Sequence, residues 1–491
     1  MVYGKSLCHA NWTLTGCAHG KGPSRNFPAR GGANSDALVG HQRNYFIPIR
    51  AASRLEATSQ LQQPVFSSCT LPVILETDWP YNMGEVFAQL AAIADVYFRQ
   101  KKMLDDSATI VVSTPLGLAS TSYHHVLLSP YSRYPPVSFD ELSQRAEEGR
   151  RVGWSAEGHH VRCFEKAVLC KLHGFPQNLL PTSQSVLRHI APHIPKDPLG
   201  FGAASTAAAG GSTAGPATTP TATSAAVAAL AAPAGGIVEL PGDAALAADG
   251  TLRVLLEARS GQGRTIRNLA QLVEACEVAN ARGFHAGSFS RLSCKVLNTA
   301  DTPSLNGVDR FYATVGAVRS AHVLVAVHGA GAANCFFLRP DNGLTALLEI
   351  RPCRFGSKHC GWPDAYMQSQ LSQAGGVIRF FAYNVEDPAQ CAPSDYEVAA
   401  TLPDPAGLPL APLRGGEDAR ARDQHLTLRP KPFIAMLRHV GSLLRNETAY
   451  QAAHGGRTLH GYAIPEGLAF GPLCVQDMAA HLQSGAPVLH M

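Results

Sequence analysis

Between Arg259 and Asn268 the chain reads Arg-Ser-Gly-Gln-Gly-Arg-Thr-Ile-Arg-Asn, placing Arg259, Arg264 and Arg267 around two glycines just before an expected helix start. Guanidinium forks, glycine N–H groups and a helix N-terminus together suit a phosphate or diphosphate. The same composition also fits a solvated basic loop, and the stretch alone does not decide between them. A second stretch, His328-Gly329-Ala330-Gly331-Ala332-Ala333-Asn334, follows an apolar run and offers glycines that let a ligand approach the backbone closely. A dinucleotide fingerprint needs a small residue where Asn334 stands, and a long helix afterwards, whereas here the apolar run stops at Pro340. An esterase-type oxyanion turn needs a G-x-S-x-G elbow, which the chain lacks. A third position is Glu349, delivered with Arg351-Pro352 at the end of an apolar run. Its carboxylate fits two ribose hydroxyls, or equally a pairing with Arg351.

The elements that must carry these residues follow from periodicity. Leu252–Ala258, His322–Val327 and Thr345–Ile350 are short apolar runs expected as buried strands. Between them Leu269, Leu272, Val273 and Cys276 recur at helical spacing, with Asn268 placed to cap and Gly283 to stop. Phe311, Tyr312, Val315 and Val318 mark a further helix. In the amino-terminal half, Leu71–Leu75, Thr109–Ser113 and Cys163–Leu172 are expected strands, and Gly84–Arg99 a helix. His124 and His125 are expected in a loop before Val126. Alternation of this kind implies an α/β fold with parallel sheets, in two Rossmann-like lobes facing a cleft. Ligands of such sheets sit beyond the carboxyl ends of the strands, where the arginine loop and the glycine turn fall.

Length and composition set the remaining bounds. At 491 residues the chain can hold two or three domains. Residues 199–238 are dominated by Ala, Gly, Thr, Ser and Pro, and are expected to form a disordered linker between an amino-terminal lobe at 61–198 and a carboxy-terminal lobe at 239–450. Residues 1–60 are expected as a poorly ordered extension and 451–491 as a tail. The net charge of +4 is too small for a nucleic-acid footprint, so no nucleic-acid partner is expected. No apolar run reaches membrane-spanning length, and no secretory signal is visible at the start. Taken alone this reads as cytosolic; against it stand twelve cysteines and the sequons at Asn11 and Asn446, which fit an oxidising lumen equally well. No pair has C-x-x-C spacing, so a structural metal is not expected.

The succession Arg259, Arg264, Ile266, Asn268, then Arg319-Ser320-Ala321-His322-Val323-Leu324-Val325-Ala326-Val327-His328-Gly329-Ala330-Gly331, Asn334 and Leu348-Glu349-Ile350-Arg351-Pro352 resembles glycosyltransferase family 61. That family includes plant xylan xylosyl- and arabinosyltransferases and animal EGF-domain O-linked N-acetylglucosaminyltransferases. The likeness is thinner at Cys163-Phe164, Arg422-Asp423 and Phe433. It covers residues 70–190 and 250–445.

The resemblance implies a GT-B architecture, a UDP-sugar donor, a glycan or glycoprotein acceptor, inversion at the anomeric carbon, and neither a metal nor a cofactor. It also implies residence in the Golgi or endoplasmic reticulum lumen. Members carry an amino-terminal anchor, so membrane association is expected only through a segment not visible in this sequence. Carried over by position, Arg259, Arg264 and Asn268 belong to the donor site, the arginines gripping the diphosphate. His328, Gly329, Ala330, Gly331 and Asn334 approach donor phosphate and sugar, and Glu349 contacts the nucleoside.

One departure concerns the amino-terminal lobe, where the family has a His three residues after an Asn. Here Asn82-Met83-Gly84 is followed by Glu85. Inversion needs a base beside the acceptor hydroxyl, and the expected catalytic residues are Glu85, Asp78 and His328, with His124 and His125 a further pair. For Glu85 and Asp78 the alternative is an acid that merely stabilises a helix N-terminus. The competing function is a catalytically inactive glycan- or nucleotide-binding protein on the same fold.

Overall fold

The computed structural model describes residues 7–13, 48–50, 64–67, 71–77, 80–100, 108–114, 119–138, 161–171, 179–195, 198–201, 250–259, 263–298, 307–341, 343–355, 376–385, 387–395 and 417–454, with single positions between them. It is an α/β protein built on two parallel sheets. The first contains β1 (Leu7–Thr13), β2 (Pro48–Arg50), β3 (Pro64–Ser67), β4 (Pro72–Glu76), β5 (Thr109–Val112), β6 (Val137–Ser138) and β7 (Val161–Lys171). Its order is β2-β1-β7-β4-β5-β6, with β3 also on β7. Every pairing is parallel.

Two segments depart from expectation. Residues 7–13 and 48–50 are strands within the region expected to be poorly ordered; a polar average over sixty residues conceals runs this short. His124 and His125 lie not in a loop but in a helix, α2 (Ser122–Leu128), which follows the longer α1. That helix α1 opens at Met83–Glu85 and continues through Val86–Ala91, Ala92–Ala94 and Asp95–Gln100, the second and fourth pieces in wider π geometry. Most of the expected linker (202–237) lies outside the described residues; at its borders Lys295 Nζ donates to Leu199 O, and Val238 N donates to Gln184 Oε1 at 2.8 Å. Helix α3 (Leu180–Ile190) precedes it.

The second sheet contains β8 (Thr251–Ala258), β9 (Arg291–Asn298), β10 (Val323–Val327), β11 (Thr345–Arg351) and β12 (Ile378–Asn384), in the order β12-β11-β10-β8-β9. Helix α4 (Leu269–Ala281) joins β8 to β9, and α5 (Gly307–Arg319) carries the chain from β9 across β8 to β10. From β8 the sheet therefore grows one way, and from β10 the other. The crevice outside the carboxyl ends of those two strands is a topological switch point. Two small strands, β13 (Cys391–Ala392) and β14 (His425–Leu426), pair antiparallel beyond the sheet. Helices α6 (Glu417–Arg422), α7 (Pro430–Leu443) and α8 (Glu447–His454) complete the described chain. No helix among the described residues is long and apolar enough to cross a membrane.

The strand period of two sorts the core into two layers. Leu252, Val254, Leu256, Val323, Val325, Val327, Ala346 and Leu348 pack with Leu272, Phe433 and Leu437 on one face. Leu255, Leu324, Ala326 and Leu347 face the other way, into a layer shared with Val73, Leu75, Phe87, Val112 and Leu127 of the first sheet and its helices. By the same alternation Glu257 and Glu349 lie on that shared side. Among the described residues two disulfides, Cys276–Cys294 and Cys353–Cys391, tie α4 to β9 and the end of β11 to β13.

Candidate functional site

The arginine loop and the glycine turn meet at the switch point. Strand β10 pairs with β8 on one side and β11 on the other, so Ala326 stands beside Glu349 and Val325 beside Leu256. Beyond β10 the chain bends at Gly329, whose φ of +144° is open to glycine and costly for other residues, and enters a 3-10 turn at Ala330–Phe337. A methyl group on Gly329 would lie 2.6 Å from Arg259 Nη1 and 2.6 Å from Arg264 Nη1. The two guanidiniums thus converge on the one backbone position that presents no side chain. Nη1 of Arg259 is buried with no hydrogen-bond partner among the described residues, as is Asn334 Oδ1 in the turn itself. A methyl on Gly331 would overlap Glu257 Oε1, at 1.5 Å, so the carboxylate of Glu257 fills the space beneath the turn.

Arg264 is held from both ends. Its backbone lies in the left-handed region at φ +58°, and its N–H reaches Asp423 O and Gln424 O at 3.2 and 3.1 Å. Its Nε lies 3.2 Å from Asp423 Oδ1. Burial, then the charges of Arg259 and Arg422, lower its pKa to about 9, which keeps it cationic at neutral pH while crowding it with like charge. An anion placed at Gly329 would relieve that crowding.

His328 and Glu349 form the deeper layer. His328 Nδ1 lies 2.8 Å from Glu349 Oε1, and Arg351 Nε donates to Glu349 Oε2 at 2.8 Å. Burial pushes the imidazole below its usual range, against the pull of Glu349. Burial alone would raise Glu349, but Arg351 and His328 overcome it and hold the carboxyl below its usual range. The imidazole is therefore neutral beside an ionised carboxylate, which sets the proton on Nδ1 and makes Nε2 the lone-pair nitrogen. Glu349 itself has 0% exposure. Its place corrects the expected nucleoside contact: both oxygens are committed to His328 and Arg351, so it orients the histidine from behind.

Asn268 also has a different job from the expected one. Its side chain makes no capping bond to α4; instead Nδ2 donates to Leu428 O at 2.8 Å, and Oδ1 accepts from Leu428 N at 3.0 Å. Glu85 stands at the first turn of α1, which packs against the Ala330–Phe337 turn, with Phe87 in contact with Phe336 and Phe337 at ring separations of 5.6 and 5.7 Å. Asn82 Oδ1 accepts from Glu85 N at 3.2 Å, Gln89 Nε2 donates to Glu85 Oε2, and Thr77 Oγ1 donates to Gln89 Oε1 at 2.7 Å. Asp78 lies outside the described residues.

His124 is a scaffold group. Its Nδ1 accepts from Thr121 N at 2.9 Å and its Nε2 meets Pro80 O at 2.6 Å, and burial lowers its pKa to about 3. His125 Nε2 lies 3.0 Å from Ser120 Oγ. Sequence reasoning missed the structural parts played by Glu257 and Asp423, whereas the pairing of Glu349 with Arg351 was one of its two readings of that carboxylate. A local signal existed only for Glu257, an acid two residues before Arg259 and flanked in its strand by Leu255, Leu256 and Ala258. No protein-family model matches the chain, and no curated protein matches its sequence.

Proposed function

We propose that this chain is an inverting, metal-independent glycosyltransferase of GT-B type, with two Rossmann-like lobes and a UDP-sugar donor. The observation that carries the reading is the convergence of Arg259 and Arg264 on Gly329 at the switch point, with a buried guanidinium nitrogen of Arg259 that has no hydrogen-bond partner among the described residues. In this reading the diphosphate lies over Gly329 to Asn334. The acceptor hydroxyl, from a glycan or glycoprotein, attacks the anomeric carbon. The bond from that carbon to the diphosphate oxygen breaks, and the charge left on the diphosphate is met by the two guanidiniums. Glu85, across the turn on α1, takes the acceptor proton; His328 Nε2 is the second group able to do so. Disulfides at Cys276–Cys294 and Cys353–Cys391 support an oxidising compartment such as the Golgi or endoplasmic reticulum lumen.

A second reading, a silent glycan or nucleotide binder, draws on one observation: Glu85 is only 8% exposed and its carboxylate is engaged by Gln89. The experiment has two arms. UDP is expected to raise the melting temperature of the wild type but not of Arg264→Ala; survival of the shift in that variant would place the diphosphate elsewhere. With acceptor supplied, UDP release from a panel of UDP-sugars is expected to fall about 10²-fold or more in Glu85→Gln, the usual scale for a general base. Protection by UDP without release from any UDP-sugar would favour the silent binder.

A further inference from the structure

The strap that holds Arg264 brings a third guanidinium to the same place. From Arg264 to Asn268 the loop runs alongside residues 423–428: Leu426 N donates to Thr265 O and Arg267 N to Leu426 O, both at 2.8 Å, with the Asn268–Leu428 pair closing the far end. Nothing larger than glycine fits at position 263, where a methyl would meet Asp423 O at 2.4 Å. At the near end, Arg422 grips Asp423 with two bonds, Nε to Oδ1 at 2.7 Å and Nη2 to Oδ2 at 2.8 Å. The same Oδ1 meets Arg264 Nε at 3.2 Å. Asp423 thus sits between two guanidiniums and fixes the plane of one. Burial opposes its ionisation, but hydrogen bonds and charge from Arg422, with the charges of Arg264 and Arg259, hold its pKa below the usual range.

We infer that Arg422 is a third anion-binding guanidinium of this site, held in line by Asp423, and that it makes the site prefer a diphosphate to a single phosphate. Arg259 and Arg264 together span one backbone position, enough for one phosphate. Arg422 joins the cluster from a different element, α6, through the same Asp423 Oδ1 that meets Arg264 Nε, and there a second phosphate would find its guanidinium. With three guanidiniums against the two carboxylates of Glu257 and Asp423, the cluster retains net positive charge, which favours an anion. This inference deepens the nucleotide-sugar reading and rests on it for the uridine, though not for the anion.

The test is calorimetric titration of the full chain and of Arg422→Gln with UDP, UMP, inorganic pyrophosphate and inorganic phosphate. Arg422→Gln is expected to weaken UDP and pyrophosphate about tenfold and to leave UMP and phosphate within about twofold, the loss of one charge-assisted contact. Unchanged UDP and pyrophosphate binding, or an equal loss for all four, overturns the inference. If Arg422→Gln melts well below the wild type, Arg422→Lys takes its place, with a threefold or greater fall in the UDP-to-UMP ratio expected and an unchanged ratio overturning the proposal. A wild type that binds pyrophosphate but not UDP overturns the nucleotide reading and leaves Arg422 to be judged on pyrophosphate against phosphate. Binding of none of the four overturns both.

Discussion

At the scale of single residues, His328 and His124 differ in what surrounds their rings. His328 is neutral beside an ionised Glu349, whereas His124 is neutral because its ring is sealed against Pro80 and Thr121. For His124 the folded pKa of about 3 stands against the usual 6.5. A histidine with a depressed folded pKa binds fewer protons in the native than in the unfolded state, so its contribution is present above pH 6.5 and is lost as pH falls toward 3. At pH 5.0 that loss is about 2 kcal/mol. His124→Gln is therefore expected to lose about 2 kcal/mol less than the wild type between pH 7.5 and 5.0, measured by urea unfolding at both values. An identical drop in the two proteins would show that His124 does not titrate on unfolding. The sequence made His124 and His328 look alike, because burial and tautomer are set by groups such as Pro80 and Glu349 at 44 and 21 residues' remove.

At the scale of elements, the strands and helices around the site were legible, and the strap was not. Leu252–Ala258, His322–Val327 and Thr345–Ile350 carry their burial in their own composition, and the observed strands differ from these ranges by a residue or so at an end. By contrast, the pairing of 264–268 with 423–428 is a contact across about 160 residues, and neither partner has a pattern that names the other. The polar appearance of Asn268 before an apolar helix suggested a cap, but its amide finds better partners in the backbone of Leu428, two bonds at once. Asn268→Ala is expected to cost about 2 kcal/mol, two hydrogen bonds at about 1 kcal/mol each. Because the same strap positions Asp423 and Arg422, the variant is also expected to weaken UDP binding severalfold. A stability loss with unchanged UDP affinity would show that the strap holds its near end without help from the far one.

At the scale of the whole molecule, the two parallel sheets do not have separate interiors. The layer containing Leu255, Leu324, Ala326 and Leu347 of the second sheet is continuous with Val73, Leu75, Ile110 and Val112 of the first. Helix α5 packs on α2, and α1 and α3 pack on the Ala330–Phe337 turn. Phe87 stands at the centre of this junction, fully buried and within 6 Å of Phe336 and Phe337, whose 5.6 and 5.7 Å ring separations are those of interacting aromatics. The turn that carries the glycines at its start therefore carries the anchors of the first sheet at its end, three residues after Asn334. A shared interior of this kind couples the stability of the two sheets, since neither can open without exposing the other's apolar face. Phe87→Ala removes a large buried side chain and is expected to cost about 3–5 kcal/mol. The loss should appear on both sides of the junction: in hydrogen exchange, amides of β4 and β5 and amides of β10 and β11 are expected to lose protection by similar amounts. If protection falls only in β4 and β5 while β10 and β11 exchange as in the wild type, the sheets open independently, and the turn at Gly329 is held by the second sheet alone.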